Sequence, residues 1–157
     1  MTTWLARSPP YFTSLVHVDE TAIGTKRKCN RGNAERGGTR WLFGIVDKAN
    51  HKCLCHFIDD KSHDSIIPTI ERHVQEGVTI HSDGANVYHC LSRLGNNHRV
   101  VVHERNLVDP ISGVHTNYIE NLWMLIKTEL RYIGGSQFQM TDSHIAEFMY
   151  RFNRKEE

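Results

Sequence analysis

The spacing of hydrophobic and polar residues changes several times along this chain, and the changes mark its elements. Leu15-Val16-His17-Val18-Asp19 is a short β-prone run that reads as a first strand. Trp41-Leu42-Phe43-Gly44-Ile45-Val46 reads as a second and Cys53-Leu54-Cys55-His56-Phe57-Ile58 as a third. The turn-like Asp47-Lys48-Ala49-Asn50 between these two predicts a hairpin. Ile66, Ile67, Ile70 and Val74 then recur at helical spacing, predicting an amphipathic helix over 63–75 that Gly77 ends. A fourth strand is expected at 78–81, a short helix at 84–92 and a fifth strand at 99–103. A long helix should run from Asn117 to Ile133, stopped by Gly134-Gly135, with a last helix over 141–152.

The resulting order, βββ-α-β-α-β-α-α, restricts the fold. Strands joined by short turns should be antiparallel and strands separated by helices parallel. The expectation is an α/β, RNase H-like layout: a mixed five-stranded sheet flanked by helices. Residues 1–13 carry Pro9-Pro10 and no periodicity, so they read as a tail or linker remnant before one domain over 14–157. The 157 residues suffice to bury a core, and no apolar run approaches the roughly 20 residues of a bilayer span. No secretory signal is visible, so the chain is expected inside the cell with its four cysteines as free thiols. With a formal net charge of only +1, any surface for nucleic acid must be local.

Three carboxylates stand at informative places. Asp19 lies in or at the end of a strand whose neighbours are Val16 and Val18, where a buried carboxylate is costly unless paired or bound to a cation. A charge on an edge strand is the plainer alternative. Glu20 should point to the opposite face and is a poor partner for the same ion. Asp83, in Ile80-His81-Ser82-Asp83-Gly84, sits where a strand gives way to a helix, a place where α/β sheets gather ligands. It could equally be an ordinary helix cap. Glu120 opens the long helix, at capping-box spacing from Asn117. At about 100° per residue, Ile119, Leu122, Trp123, Ile126, Leu130 and Ile133 form one apolar stripe. Glu120 and Lys127 fall within about 20° of each other on its flank, with Arg131 beside them. Such a flank suits metals meeting a phosphate backbone, or else is a solvated salt-bridging face. Phosphodiester chemistry needs an activated nucleophile and a stabilised leaving oxygen, which two Mg²⁺ ions about 3.5–4 Å apart can supply.

The chain resembles Merlin-type DDE transposases and their bacterial insertion-sequence relatives. The matching stretches are Val18-Asp19-Glu20-Thr21 with Ile23-Gly24 and Lys26-Arg27-Lys28, then Trp41 to Val46 and His81-Ser82-Asp83-Gly84 with Tyr88. They continue through Asn106-Leu107-Val108-Asp109-Pro110, Gly113 to Glu120, Trp123, Lys127 and Glu147-Phe148-Met149-Tyr150-Arg151. The resemblance implies a catalytic, metal-binding triad of Asp19, Asp83 and Glu120, holding Mg²⁺ or Mn²⁺, two ions in all. It implies transposition: cutting at element ends and joining to target DNA, by a chain that is a homo-oligomer when active. Lys127 would contact phosphate near the cut. Some insertion-sequence relatives use asparagine as third member, which brings in Asn117 and Asn121. Full-length relatives carry an N-terminal DNA-recognition region, so the expectation here is a catalytic domain without it: a fragment, a decayed copy or a host gene derived from a transposon. The compartment would be the nucleus in a eukaryote and the cytoplasm or nucleoid in a bacterium.

Other basic residues extend the expected DNA surface. The glycine-containing stretch from Lys26 to Arg40 includes Lys26, Arg27, Lys28 and Arg31, suited to neutralising phosphates. His81 and His115 are expected near the carboxylates, and His115, Asn117, Lys127 and Arg131 on the DNA. Cys53 and Cys55 with His51 and His56 lack a second ligand pair at zinc spacing and read as ordinary strand residues. Two other readings stay open: a non-catalytic DNA-binding protein derived from a transposase, and an RNase H or resolvase-like nuclease.

Overall fold

In the computed structural model of the chain, residues 9–24, 39–101, 117–133 and 140–154 are described. Their elements follow the expected order: β1 (Val16–Ile23), β2 (Arg40–Asp47), β3 (Lys52–Ile58), α1 (His63–His73), β4 (Thr79–Ser82), β5 (Asn97–Val100), α2 (Asn117–Tyr132) and α3 (Thr141–Phe152). The strands form one sheet in the order β3-β2-β1-β4-β5. β1, β2 and β3 pair antiparallel, while β4 pairs parallel with β1 and with β5. A tight turn reverses the chain between β2 and β3, whereas α1 lies between β3 and β4 and a helical segment between β4 and β5.

Alternation along the strands divides the core between two faces. Val16, Val18, Phe43, Ile45 and Ile58 pack with Ile66, Ile67 and Ile70 of α1. Leu42, Val46, Cys53 and Cys55 pack with Ile119, Leu122, Trp123 and Ile126 of α2 and with Ile145 and Phe148 of α3. The sheet is thus covered on both sides, and the stripe expected on α2 meets it. Cys53, Cys55 and Cys90 are free thiols. Among the described residues no helix is long and apolar enough to cross a membrane.

Four boundaries differ from the sequence expectation. Phe12, within the stretch read as a tail, is 1% exposed and belongs to the core. Its N–H donates to the His73 carbonyl at 2.7 Å and its carbonyl accepts from Gln75 at 2.9 Å, so α1 stops at His73 instead of 75. The helix expected at 84–92 is a short 3₁₀ helix, Asn86–Cys90. β5 starts earlier than the valine run suggested because Asn97 already pairs with Thr79, its Nδ2 donating to Thr79 Oγ1 at 3.2 Å. Residues 102 and 103, expected in the same strand, lie outside the described residues.

Side chains finish what the ladders leave open. Buried Asp47 accepts from Ser14 Oγ and from the Asn50 backbone and amide, closing the hairpin turn after β2. At β3, the Asn153 amide pairs with the Cys53 backbone as a strand would: Oδ1 accepts from Cys53 N–H at 2.7 Å and Nδ2 donates to Cys53 O at 3.0 Å. In the middle of the sheet Gly44 faces the Trp123 ring, and a Cβ placed there would stand 2.3 Å from it. Gly44→Ala should therefore cost about 1–3 kcal/mol in chemical denaturation, as overpacking does. A variant as stable as the parent would refute this seating of Trp123.

Candidate active site

α2 crosses the sheet in step with β1. Trp123 Nε1–H donates to Asp19 Oδ2 at 2.9 Å. Four residues on, Lys127 Nζ donates to Thr21 Oγ1 at 2.6 Å. Four helical residues rise about 6 Å and two strand residues about 6.6 Å, so the helix and the strand run in the same direction with nearly matching repeats. Glu120 precedes Lys127 by seven residues on the same flank, about 10 Å nearer the helix start. The flank read from the helical wheel therefore faces the strand that carries Asp19.

Asp19, Thr21 and Ile23 share one face of β1, and Gly44 is the register partner of Asp19 on β2. His81 is the partner of His17 on β4, and Asp83 follows directly after the end of that strand, two residues past His81 as Asp19 is two past His17. Glu20 turns to the other face, as expected, where Tyr88 donates to its Oε1 and Lys61 Nζ lies 3.5 Å from its Oε2. Burial pushes the Asp19 carboxyl up to about 6, helped by the charges of Glu20 and Asp83 and opposed by the Trp123 hydrogen bond. Burial likewise raises the Glu20 carboxyl, against the Tyr88 hydrogen bond. Asp83 is half-buried, and its Oδ1 accepts from Ala85 N–H at 3.0 Å, a short turn of its own. The 3₁₀ helix that follows has Ala85 at its N-cap, so Asp83 is not that helix's cap.

At the start of α2, buried His17 packs edge-on against His81 at 4.9 Å and against Tyr118 at 5.1 Å. The Tyr118 ring lies 4.2 Å beneath Lys48 Nζ, which also donates to its hydroxyl. His81 thus packs beside His17 near the end of β4, two residues before Asp83. Asn117 is already helical and its buried Oδ1 has no partner among the described residues, so the capping-box alternative is not realised through it. Asn121 is exposed, and so is Arg131, whose Nε donates to the Lys127 carbonyl at 3.2 Å. Lys26, Arg27, Lys28, Arg31 and His115 lie outside the described residues.

Two features escaped sequence reasoning. Trp123 was legible as part of an apolar stripe, but its indole N–H also serves Asp19. The clue was Gly44, a residue without a side chain in the middle of a strand-forming run. Thr21, buried beside Asp19, holds the Lys127 ammonium.

Among the described residues no three His, Cys, Asp or Glu side chains converge closely enough to hold a metal ion alone. A hard cation that keeps several waters and takes other oxygens from substrate phosphate needs only one or two carboxylates. Asp19 and Asp83 fit that requirement in kind, as two carboxylates placed just beyond the paired residues of the neighbouring strands β1 and β4. Glu120 and Lys127 would bring a further carboxylate and a cation from α2.

A family model described as ISXO2-like transposase domain matches residues 13–153. No curated protein matches the chain in sequence. Among solved structures, the catalytic core domain of BIV integrase superposes with a TM-score of 0.57 at 15% identity, covering 90% of this chain and 84% of that one. A chain of the simian T-cell lymphotropic virus intasome in complex with PP2A regulatory subunit B56 gamma gives 0.55 at 14% identity, over 94% of this chain and 50% of that one. At such identities the likeness concerns the fold, which is the RNase H-like arrangement expected from the element order.

Trp123→Phe removes the indole N–H while keeping an aromatic side chain at this core position. The Asp19 carboxyl then loses a hydrogen bond that favours its charged form, so its titration midpoint should move above about 6. Carboxyl carbon shifts followed against pH would show this, and an unmoved midpoint would rule out the indole contact.

Proposed function

The chain belongs to the ISXO2-like transposase domain family, and from that premise we propose that Asp19, Asp83 and Glu120 are the catalytic carboxylates of a domain that cuts and joins DNA. The observation that supports this reading is the placement of Asp19 and Asp83 on neighbouring central segments, each two residues past the matched pair His17↔His81 of the parallel strands β1 and β4. Helix α2 supports it by presenting Glu120 and Lys127 along the flank that faces β1. The motifs from Val18 to Arg151 further suggest the Merlin and insertion-sequence branch.

In this reading Asp19 and Asp83 hold Mg²⁺ or Mn²⁺, and Glu120 completes the oxygen set. When bound, two such ions would activate the attacking oxygen and stabilise the leaving one. The chain's own residues supply position and charge. Trp123 orients the Asp19 carboxylate. Lys127, steadied by Thr21, offers its ammonium to the phosphate backbone, and Arg131 adds a cation one turn further along. Asn117, whose Oδ1 has no partner among the described residues, is an additional oxygen at the helix start. Lys26, Arg27, Lys28, Arg31 and His115 extend the DNA surface in the proposal. The substrates are element ends and target DNA, and the active species is a homo-oligomer inside the cell.

Purified chain and labelled duplex DNA test the reading directly. Nicking should require Mg²⁺ or Mn²⁺ and fall at least about a hundredfold in Asp83→Asn, the scale of loss when preorganised charge stabilisation is removed. A substantially active Asp83→Asn protein would sink the assignment. A chain that binds DNA but never nicks, with or without metal, would favour the transposase-derived binding protein instead. Lys127→Ala should weaken DNA binding and flatten its dependence on salt by about one counterion. An unchanged salt slope would remove Lys127 from the DNA surface.

A further inference from the structure

The parallel pairing of β1 with β4 covers only Val16↔Ile80 and His17↔His81. Asp19 and Asp83 each lie two residues past its end, so the ladder does not set their separation. A second link crosses between the same two segments on the opposite face. Glu20, adjacent to Asp19, is 8% exposed, and Tyr88, with no exposed surface, donates its hydroxyl to Glu20 Oε1. The other oxygen, Oε2, is 3.5 Å from Lys61 Nζ, and that ammonium lies 3.8 Å over the Trp41 ring. Both carboxylate oxygens are thus engaged on the face of α1, away from the Asp19 side.

From Tyr88 a short path leads back to Asp83. Tyr88 N–H donates to the Ala85 carbonyl at 3.1 Å. Ala85 N–H in turn donates to Asp83 Oδ1 at 3.0 Å. From the other side, the Ser82 hydroxyl donates to the Asp83 carbonyl at 2.8 Å. Its single proton is spent there, so it accepts from His98 Nε2 at 2.7 Å. The turn bearing Asp83 is therefore held at both ends, and its far end is tied to the residue next to Asp19.

We propose that Glu20 is a positioning residue which, through Tyr88, sets the Asp83 carboxylate against Asp19. The inference rests on the reading of Asp19 and Asp83 as the ion-holding pair. Two apolar side chains could fill the same volume without the cost of burying a carboxylate. What they could not do is fix one orientation of the turn, because packing alone carries no directional bond. Glu20 touches neither ion nor DNA in this role, and its effect passes through the turn.

The test compares Tyr88→Phe, which deletes one hydroxyl, and Glu20→Gln, which keeps the shape, with Asp83→Asn as reference. Mn²⁺ binding is read by electron paramagnetic resonance of the free ion, the melting temperature in chelator, and nicking of labelled duplex DNA across a Mn²⁺ series. Tyr88→Phe should weaken Mn²⁺ binding by about tenfold, the scale typical of groups that orient a metal's ligands. Its nicking rate should recover at saturating Mn²⁺, whereas a merely structural lesion would lower the rate at every concentration. Glu20→Gln should shift the Mn²⁺ midpoint in the same direction, and it carries the test if Tyr88→Phe does not fold. Unchanged Mn²⁺ affinity in the folded variants, with affinity lost in Asp83→Asn, overturns the positioning role and leaves the proposed function standing. A lower rate at all Mn²⁺ concentrations also overturns it. Mn²⁺ binding that survives Asp83→Asn overturns the ion-holding pair itself, and the inference with it.

Discussion

A carboxylate set inside a sheet needs a partner for its charge, and around Asp19 the structure arranges that partner from two sides. Asp19 lies on the central strand, under helix α2, where burial pushes its carboxyl up to about 6. The indole N–H of Trp123 offsets part of that cost, and the indole can reach Asp19 only because the residue beneath it is Gly44. The pleat, the helix and the charged group are therefore one problem with one solution. Without a flat place on β2 the helix would ride higher, and Trp123 would miss Asp19. The stripe Ile119, Leu122 and Ile126 supplies the burial that keeps the helix down.

The same sheet separates two kinds of polar work. On the α2 face, Asp19 takes the Trp123 indole N–H, with Thr21 and Lys127 alongside. On the α1 face, Glu20 is satisfied by Tyr88 and Lys61. Adjacent residues on one strand thus meet the same cost of burial and are served by different donors on opposite faces. Alternation of a strand makes this possible, since neighbours separated by a single peptide bond see different solvents.

Much of this was legible in the sequence, and the reasons for success and failure are physical. Strand and helix order followed from β-branched runs and from the spacing of Ile66, Ile67 and Ile70, which packing then confirmed. The turn to the opposite face of Glu20 followed from period two alone. Phe12 was missed because the pair Tyr11-Phe12 after two prolines has no period, and its partner Val74 is remote along the chain. The 3₁₀ geometry after Asp83 was missed because a segment this short carries too few positions for its period to separate 3₁₀ from α spacing. The ties from Tyr88 to Glu20 and from Trp123 to Asp19 join residues far apart in sequence through one polar atom on a largely apolar side chain. No wheel or alternation registers such an atom.

The matched repeats of α2 and β1 also limit how the chain can change. Between Trp123 and Lys127 the helix and the strand stay in phase because about 6 Å of one meets about 6.6 Å of the other. Substitutions on the outer side of α2, at exposed Met124 or Leu125, leave that phase untouched. A single inserted or deleted residue within the same stretch would turn everything beyond it by about 100° and send Lys127 away from Thr21. The outer side of α2 can therefore drift in composition while the helix length between the two contacts stays locked, like a key whose teeth may be recoloured but not respaced.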